Sequence, residues 1–158
     1  MTTEQKDVAA LAKDGNKVIR NHMLVSMGVG LIPIPIADMV GITAVQLNML
    51  RKLAKIHEVP FTQHKVKSIL TALVGGGGSL TVAEGFASLI KFVPVVGTTV
   101  GAVSMPITAG AITYAVGKVF LQHFASGGTF LTFDPEKVRE YYAEMFKEGK
   151  TAAADMTS

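Results

Sequence analysis

The segment FVPVVGTTVGAVSMPITAGAITYAVG, residues 92–117, contains no charged side chain. A second segment, residues 21–50, carries only His22 and Asp38 as titratable groups. Because about 20 apolar residues are enough to span the hydrocarbon core of a bilayer, these two segments pose the main structural question. The chain is either a helical domain that associates with a membrane or a soluble helical bundle with long core helices.

The composition favours close packing of helices in a single domain. Charged residues make up 17% of the 158 residues, and 16 residues are glycine; soluble domains usually contain about 25% charged residues. Small residues let helices approach closely, above all in membranes. The chain has no cysteine, which excludes disulfides, thiolate metal sites and cysteine nucleophiles. Its basic residues are not clustered with aromatic ones, so we expect no nucleic-acid binding.

Apolar residues recur at helical spacing along the chain, which predicts an all-α fold, a bundle of about six helices. A short apolar helix or turn is expected after the first helix, up to about residue 31, and Asp134 is the expected N-cap of the last helix, with Pro135 in its first turn. A single domain is predicted over residues 1–148, and a flexible tail over 149–158. The predicted helices cover residues 3–20, 37–57, 62–74, 81–91, 98–124 and 135–147.

Two hinges each precede a long apolar helix, which gives two hinged helical units. Pro33 and Pro35 form the first hinge, and Pro94 and Gly97 form the second, because proline lacks an amide hydrogen and disfavours helix in the preceding residue. A bend is expected at Pro106 in the long helix. The two units are either a duplication or two independent hinges, and the weak match between them favours the second.

Basic residues flank the uncharged segments, among them Arg51, Lys91 and Lys118. This pattern either favours an anionic cytoplasmic membrane surface or marks the solvated face of a soluble bundle. The N-terminal residues MTTEQKD lack the basic start and apolar core of a secretory signal. We therefore expect the protein at the cytoplasmic face of the inner membrane, with a soluble cytoplasmic protein as the alternative.

No pattern of residues typical of catalysis or of metal binding is visible. The run Gly75–Gly78 is not followed by the Lys and Ser/Thr of a phosphate loop, and a flexible link between helices is the better interpretation. The four histidines lack the spacing of metal ligands, and we expect ordinary helix-end or surface positions for them. The sequence therefore predicts a protein that is not an enzyme and holds no cofactor or metal.

Two polar residues stand out in the first apolar segment. Asp38 follows the first hinge, where an N-cap or first-turn role is the simplest interpretation; a proton or ion relay has less support because no second buried carboxylate accompanies it. Gln46 lies further along the same predicted helix and is a candidate for a buried polar network. Gly101, Gly110 and Gly117 place small residues along the long helix, which predicts close helix packing and makes self-association plausible.

Three stretches carry a resemblance to a bacterial family: IPIADMVGITAVQ at 34–46, VPVVG at 93–97 and TAGAITYAVGK at 108–118. The region of about 20–130 resembles the GTPase-associated domain of unknown function found beside or C-terminal to Era-like small GTPases. It is also similar to multi-pass inner-membrane proteins that share this domain. The resemblance implies an all-α, membrane-associated module without demonstrated catalysis, in which Asp38 and Gln46 are signature polar residues of unassigned role.

The sequence contains no GTPase domain, so the resemblance implies a GTPase only as a separate chain. Our first hypothesis is a non-enzymatic membrane-associated scaffold that binds a protein partner or itself. Its apolar units would insert as hairpins or lie shallowly in the membrane. The alternative is a soluble helical bundle that binds a partner protein or an apolar or lipid ligand.

Overall fold

The computed structural model describes residues 1–31, 35–74 and 97–158, with backbone alone for 35–39 and 97–104. Several predicted features lie outside these residues: Pro33, the glycine run, the helix at 81–91 and Pro94. Two hinge residues are described, and each begins a helix, Pro35 the second one and Gly97 the fourth.

The described residues form five α-helices and no strand, which confirms the all-α prediction. The predicted number of about six differs slightly from the five helices of the described part, and the predicted helix at 81–91 lies outside that part. The helices are α1 (Thr3–Val29), α2 (Pro35–Ile56), α3 (Gln63–Val74), α4 (Gly97–Ala125) and α5 (Arg139–Thr157).

α1 is one continuous helix, where the sequence predicted a helix to residue 20 and a separate short element after it. A capping box starts it: the Thr2 hydroxyl accepts from the Gln5 amide, and the Gln5 side chain accepts from the Thr2 amide. Gly15, which weakens the helix locally, is buried against Leu121 of α4. This packing compensates for the low helix propensity of glycine, a contribution that no local pattern reveals.

α5 differs from its prediction at both ends. It begins at Arg139, and Asp134 is not its N-cap: the Asp134 carboxylate accepts a hydrogen bond from the Glu136 amide at 3.0 Å in the turn before it. At the other end the helix continues through Thr157, where a flexible tail was predicted. Gly149 and Ala153 in this last part are buried, and their packing on α4 supplies stability that the polar sequence does not suggest.

α4 is the central helix and packs against α1, α2, α3 and α5. Its Phe120 is fully buried and stacks on Phe133 with ring centroids 4.3 Å apart. Phe124 and Phe130 complete this aromatic cluster, with their rings 5.1 Å apart. Burial of these large side chains anchors the bundle at the C-terminal end of α4.

α2 ends close to its predicted boundary. Glu58 follows it with a positive φ of 55°, and the Val59 amide donates to the carbonyl of Ala54 at 2.8 Å. This left-handed cap, followed by Pro60, closes the helix. α3 then packs against α2 and α4 near this end of the bundle.

Candidate functional site

α1 crosses α4 closely at two of the glycines that the sequence singled out. A Cβ atom on Gly110 would lie 2.7 Å from Met27 Cγ, and one on Gly117 would lie 2.6 Å from Ile19 Cγ1. The space beside both glycines is therefore occupied by α1 of the same chain. Gly101 lies in the part of α4 for which only the backbone is described.

A buried polar layer joins α1, α2 and α4 next to this crossing. The hydroxyls of Ser26 and Thr113 are 2.7 Å apart, and the Gln46 amide donates to the Thr113 hydroxyl at 3.4 Å. All three side chains are buried. Because the three groups are neutral and satisfy one another, the layer holds the register of three helices. At Asp38 the structure describes the backbone alone, in the second turn of α2.

His22 is a buried histidine that the sequence analysis missed, since a surface or helix-end position was expected. Its Nδ1 donates to the Val18 carbonyl at 2.8 Å, and Nε2 lies 3.4 Å from the Asn48 amide nitrogen. Burial lowers the pKa of His22, the Val18 carbonyl acts in the opposite direction, and Lys52 lowers it further. The inward stripe of α1, with Ile19, was the signal that could have placed it.

Among the grooves on the surface of the described residues, two are relevant to function. The first, which we call the α1–α2 groove, has a volume of about 390 Å³ and passes beside His22. The second has a volume of about 680 Å³ and lies beside the C-terminal end of α4. The α1–α2 groove is lined by Asn21, His22, Val25, Ala44, Val45, Asn48 and Lys52. Residues lining the larger groove include Val8, Leu11, Lys55, Glu58, Lys118, Leu121, Phe124 and Tyr141.

Charge is segregated along the axis of α1, α2 and α4. α1 is antiparallel to α2, because Asn48 lies beside His22 and Gly41 beside Val29. It is antiparallel to α4, because Gly117 lies beside Ile19 and Gly110 beside Met27. The uncharged parts of these three helices therefore lie at one end of the bundle. We call this the uncharged end and define it as residues 21–31, 35–50 and 97–117, in which Asp38 is the one charged residue.

Basic residues mark the limit of the uncharged end. Arg20 precedes it on α1, Arg51 and Lys52 follow it on α2, and Lys118 follows it on α4. We call these four residues the basic boundary.

α5 is the exception among the neighbouring helices: Gly149 packs against Ala111 and Ala153 lies beside Gly110, so its last turns, with Lys150 and Asp155, run along the uncharged part of α4. Glu148, at the start of this stretch, accepts a hydrogen bond from the Tyr114 hydroxyl.

Large apolar side chains are exposed at the uncharged end. Leu31 is 67% exposed, Val40 66% and Met105 51%. They lie near one another, because Gly30 packs against the backbone of Met105 and Pro106, and Gly41 packs against Val29. Leu24 and Val25 on α1 are also exposed.

The described residues contain no helix that has both the length and the apolarity needed to cross a membrane. In the same part of the chain, no group of three or more His, Asp or Glu side chains is placed to hold a metal ion.

The chain belongs to the family described as a domain of unknown function, DUF697, whose model matches residues 3–151. It is similar to magnetosome membrane protein 22 of Magnetospirillum gryphiswaldense, with 35% identity over 141 residues. The match covers 87% of this chain and 71% of that protein. No solved structure matches the chain.

Proposed function

We propose that this protein is a non-enzymatic helical scaffold that associates with a membrane through its uncharged end. The observation that carries this proposal is the group of exposed apolar side chains, Leu31, Val40 and Met105, at the end where three helices lack charge. A group of exposed apolar residues of this kind is typical of a membrane or protein contact. The relative named a magnetosome membrane protein supports the choice of a membrane.

The energetics favour shallow, reversible association. Full burial of one such apolar side chain contributes about 1.5–3 kcal/mol, and partial burial of several contributes a few kcal/mol together. Each residue of the basic boundary adds about 1 kcal/mol at an anionic surface. The two contributions act together, because the basic boundary lies where the uncharged end meets the charged one.

The opposite end of the bundle is then presented to the cytoplasm, at the inner face of the membrane. The larger groove and the N-terminal half of α1, whose side chains are exposed as far as Asp14, are available there to a protein partner. A GTPase in a separate chain is one candidate, supported by the family resemblance alone, and a second copy is another.

A soluble bundle that binds an apolar ligand or a partner protein is the second candidate. The larger groove favours it, because a cavity of about 680 Å³ with several apolar lining residues falls in the size range of ligand sites. Under this alternative, the apolar residues of the uncharged end would not contact lipid.

A single tryptophan distinguishes the two candidates, because the chain contains none. L31W places the probe at the uncharged end, and L131W is the matched control, since Leu131 is 76% exposed in the loop after α4. With phosphatidylcholine–phosphatidylglycerol vesicles that carry brominated acyl chains, we expect a blue shift and strong quenching for L31W. L131W should show neither.

Equal quenching of both variants, or of neither, would contradict insertion by the uncharged end. Fractionation of expressed wild-type protein without detergent, followed by a carbonate wash of the membranes, gives an independent readout. A fully soluble, monodisperse species that does not sediment with vesicles would overturn the membrane proposal in favour of the second candidate.

A further inference from the structure

The α1–α2 groove is polar at one end and apolar at the other. Its polar lining consists of Asn21 and His22 on α1, with Asn48 and Lys52 on α2. Its apolar lining consists of Val25, Ala44 and Val45. Two ends of such different character suit an elongated amphiphile better than a compact polar ligand.

The polar and apolar ends of the groove coincide with the charged and uncharged parts of α1 and α2. Along α1, Val25 is one turn further into the uncharged end than Asn21. Along the antiparallel α2, Ala44 is two turns further in than Lys52. The polar end of the groove therefore lies at the basic boundary, and the apolar end lies beside the exposed apolar residues.

The polar end offers donors for an anion. Lys52 is exposed, and among the described residues it forms no ion pair. The side-chain amides of Asn21 and Asn48 lie on the two walls beside it, and none of the residues that line the groove is acidic. An ammonium group and neutral amides in one groove suit a phosphate, since each can donate hydrogen bonds to its oxygens. The Asn48 amide has two hydrogens, of which one is directed at His22 Nε2 and the other is left for this role.

We propose that the α1–α2 groove binds one anionic phospholipid of the bilayer. Its phosphate would lie against Lys52, Asn21 and Asn48, and its acyl part would run past Val25 and Ala44 into the membrane. This inference rests on the proposed membrane association. A free phosphate compound would leave the apolar half of the groove without a role, which is why we assign a phospholipid.

Vesicle binding of the 158-residue chain tests the charge at this site. We would measure co-sedimentation with pure phosphatidylcholine vesicles and with equimolar phosphatidylcholine–phosphatidylglycerol vesicles. K52Q should lose about fivefold in affinity for the anionic vesicles, as expected for one lysine at such a surface, and nothing on the zwitterionic ones. K65Q is the matched control, because Lys65 is an exposed lysine on α3 and should lose much less.

A neutral variant separates the groove from general charge attraction. N48A leaves the net charge unchanged, yet it should reduce the preference for phosphatidylglycerol vesicles, whereas Q63A, at an exposed position on α3, should not. Urea unfolding of each variant verifies that it is folded. Soluble glycerol 1-phosphate should not compete with the vesicles.

The outcomes separate this inference from the proposed function. If K52Q and K65Q lose affinity equally, or N48A keeps the full preference, the groove site is overturned while membrane association stands. Displacement by glycerol 1-phosphate would identify a free phosphate compound as the ligand and overturn the phospholipid. Wild-type protein that binds neither vesicle would overturn the proposed function, and the groove site with it.

Discussion

Several polar side chains are buried between the helices of this protein. Ser26, Gln46 and Thr113 satisfy one another across three helices, so their burial carries little penalty. His22 is different, because it is buried and titratable at once. Its protonation is therefore linked to folding.

We expect the free energy of unfolding to fall as the pH decreases below 6.5, the ordinary pKa of histidine. Burial lowers the pKa of His22 in the folded chain, so the unfolded chain binds the proton more readily. The stabilising contribution is complete above pH 6.5 and is lost as the pH falls from there through the folded pKa. Urea unfolding at a series of pH values between about 7.5 and 5.5 measures it.

H22Q supplies the comparison for this pH dependence. Glutamine keeps a polar side chain at the position but does not titrate, so the loss between about pH 7.5 and 5.5 should be smaller in the variant than in the wild type. Identical slopes for the two proteins would show that His22 does not couple its proton to folding.

At the scale of helices, the contact between α1 and α4 depends on the absence of side chains. Gly110 and Gly117 are seven residues apart on α4, and each lies under an apolar side chain of α1. This arrangement gives the predicted small-residue face an intramolecular partner. A larger residue at Gly110 or Gly117 should therefore lower the free energy of unfolding before it affects self-association.

G117L should lower the free energy of unfolding by about 1–3 kcal/mol or more, because even a Cβ atom would lie 2.6 Å from Ile19 Cγ1. G28A is the matched control on α1, where an added Cβ meets nothing within 4 Å. It should stabilise the helix by about 0.5–1 kcal/mol, since alanine has the higher helix propensity. Urea unfolding compares both with the wild type.

Sedimentation velocity of the same two variants examines self-association. If G117L leaves the unfolding free energy unchanged but dissociates an oligomer, the glycine face is a contact between copies, and the intramolecular role assigned here is wrong.

At the scale of the whole molecule, the decisive feature is that α1, α2 and α4 together carry a single charged residue, Asp38, at one end of the bundle. The three helices contribute to this end independently. Because α1 runs antiparallel to both α2 and α4, its C-terminal part lies beside their uncharged N-terminal parts. Because Arg20, Arg51 and Lys118 lie at a similar level, the bundle has the charge distribution expected of a protein at a lipid–water interface.

Hydrogen exchange with and without anionic vesicles tests this orientation. We expect added protection in residues 24–31, 40–45 and 105–112 at the uncharged end, because lipid contact restricts opening and water access there. Residues 122–146, at the other end, serve as the internal control and should exchange unchanged. Protection confined to 122–146 would place the membrane or partner contact at the opposite end.

Much of the local architecture is predictable from the sequence. The predicted bounds 37–57, 62–74 and 98–124 agree with α2, α3 and α4 to within two residues, since apolar periodicity and breakers such as Pro60 act locally. Less of the candidate site could be predicted from the sequence. Gln46 was identified as polar within an apolar helix, but its partners Ser26 and Thr113 are distant in sequence and no spacing connects them.

The sequence by itself determined that the described part of this protein is helical, where most of those helices run, and that charged residues are rare in two long segments. Only the tertiary structure decided that α1 continues past residue 20, that α5 extends to Thr157, and that His22 and the two glycines face a neighbouring helix. The physical reason is that helix formation follows local propensity and periodicity. Burial, by contrast, depends on residues far away in the chain, and packing stabilises segments whose local signals are weak.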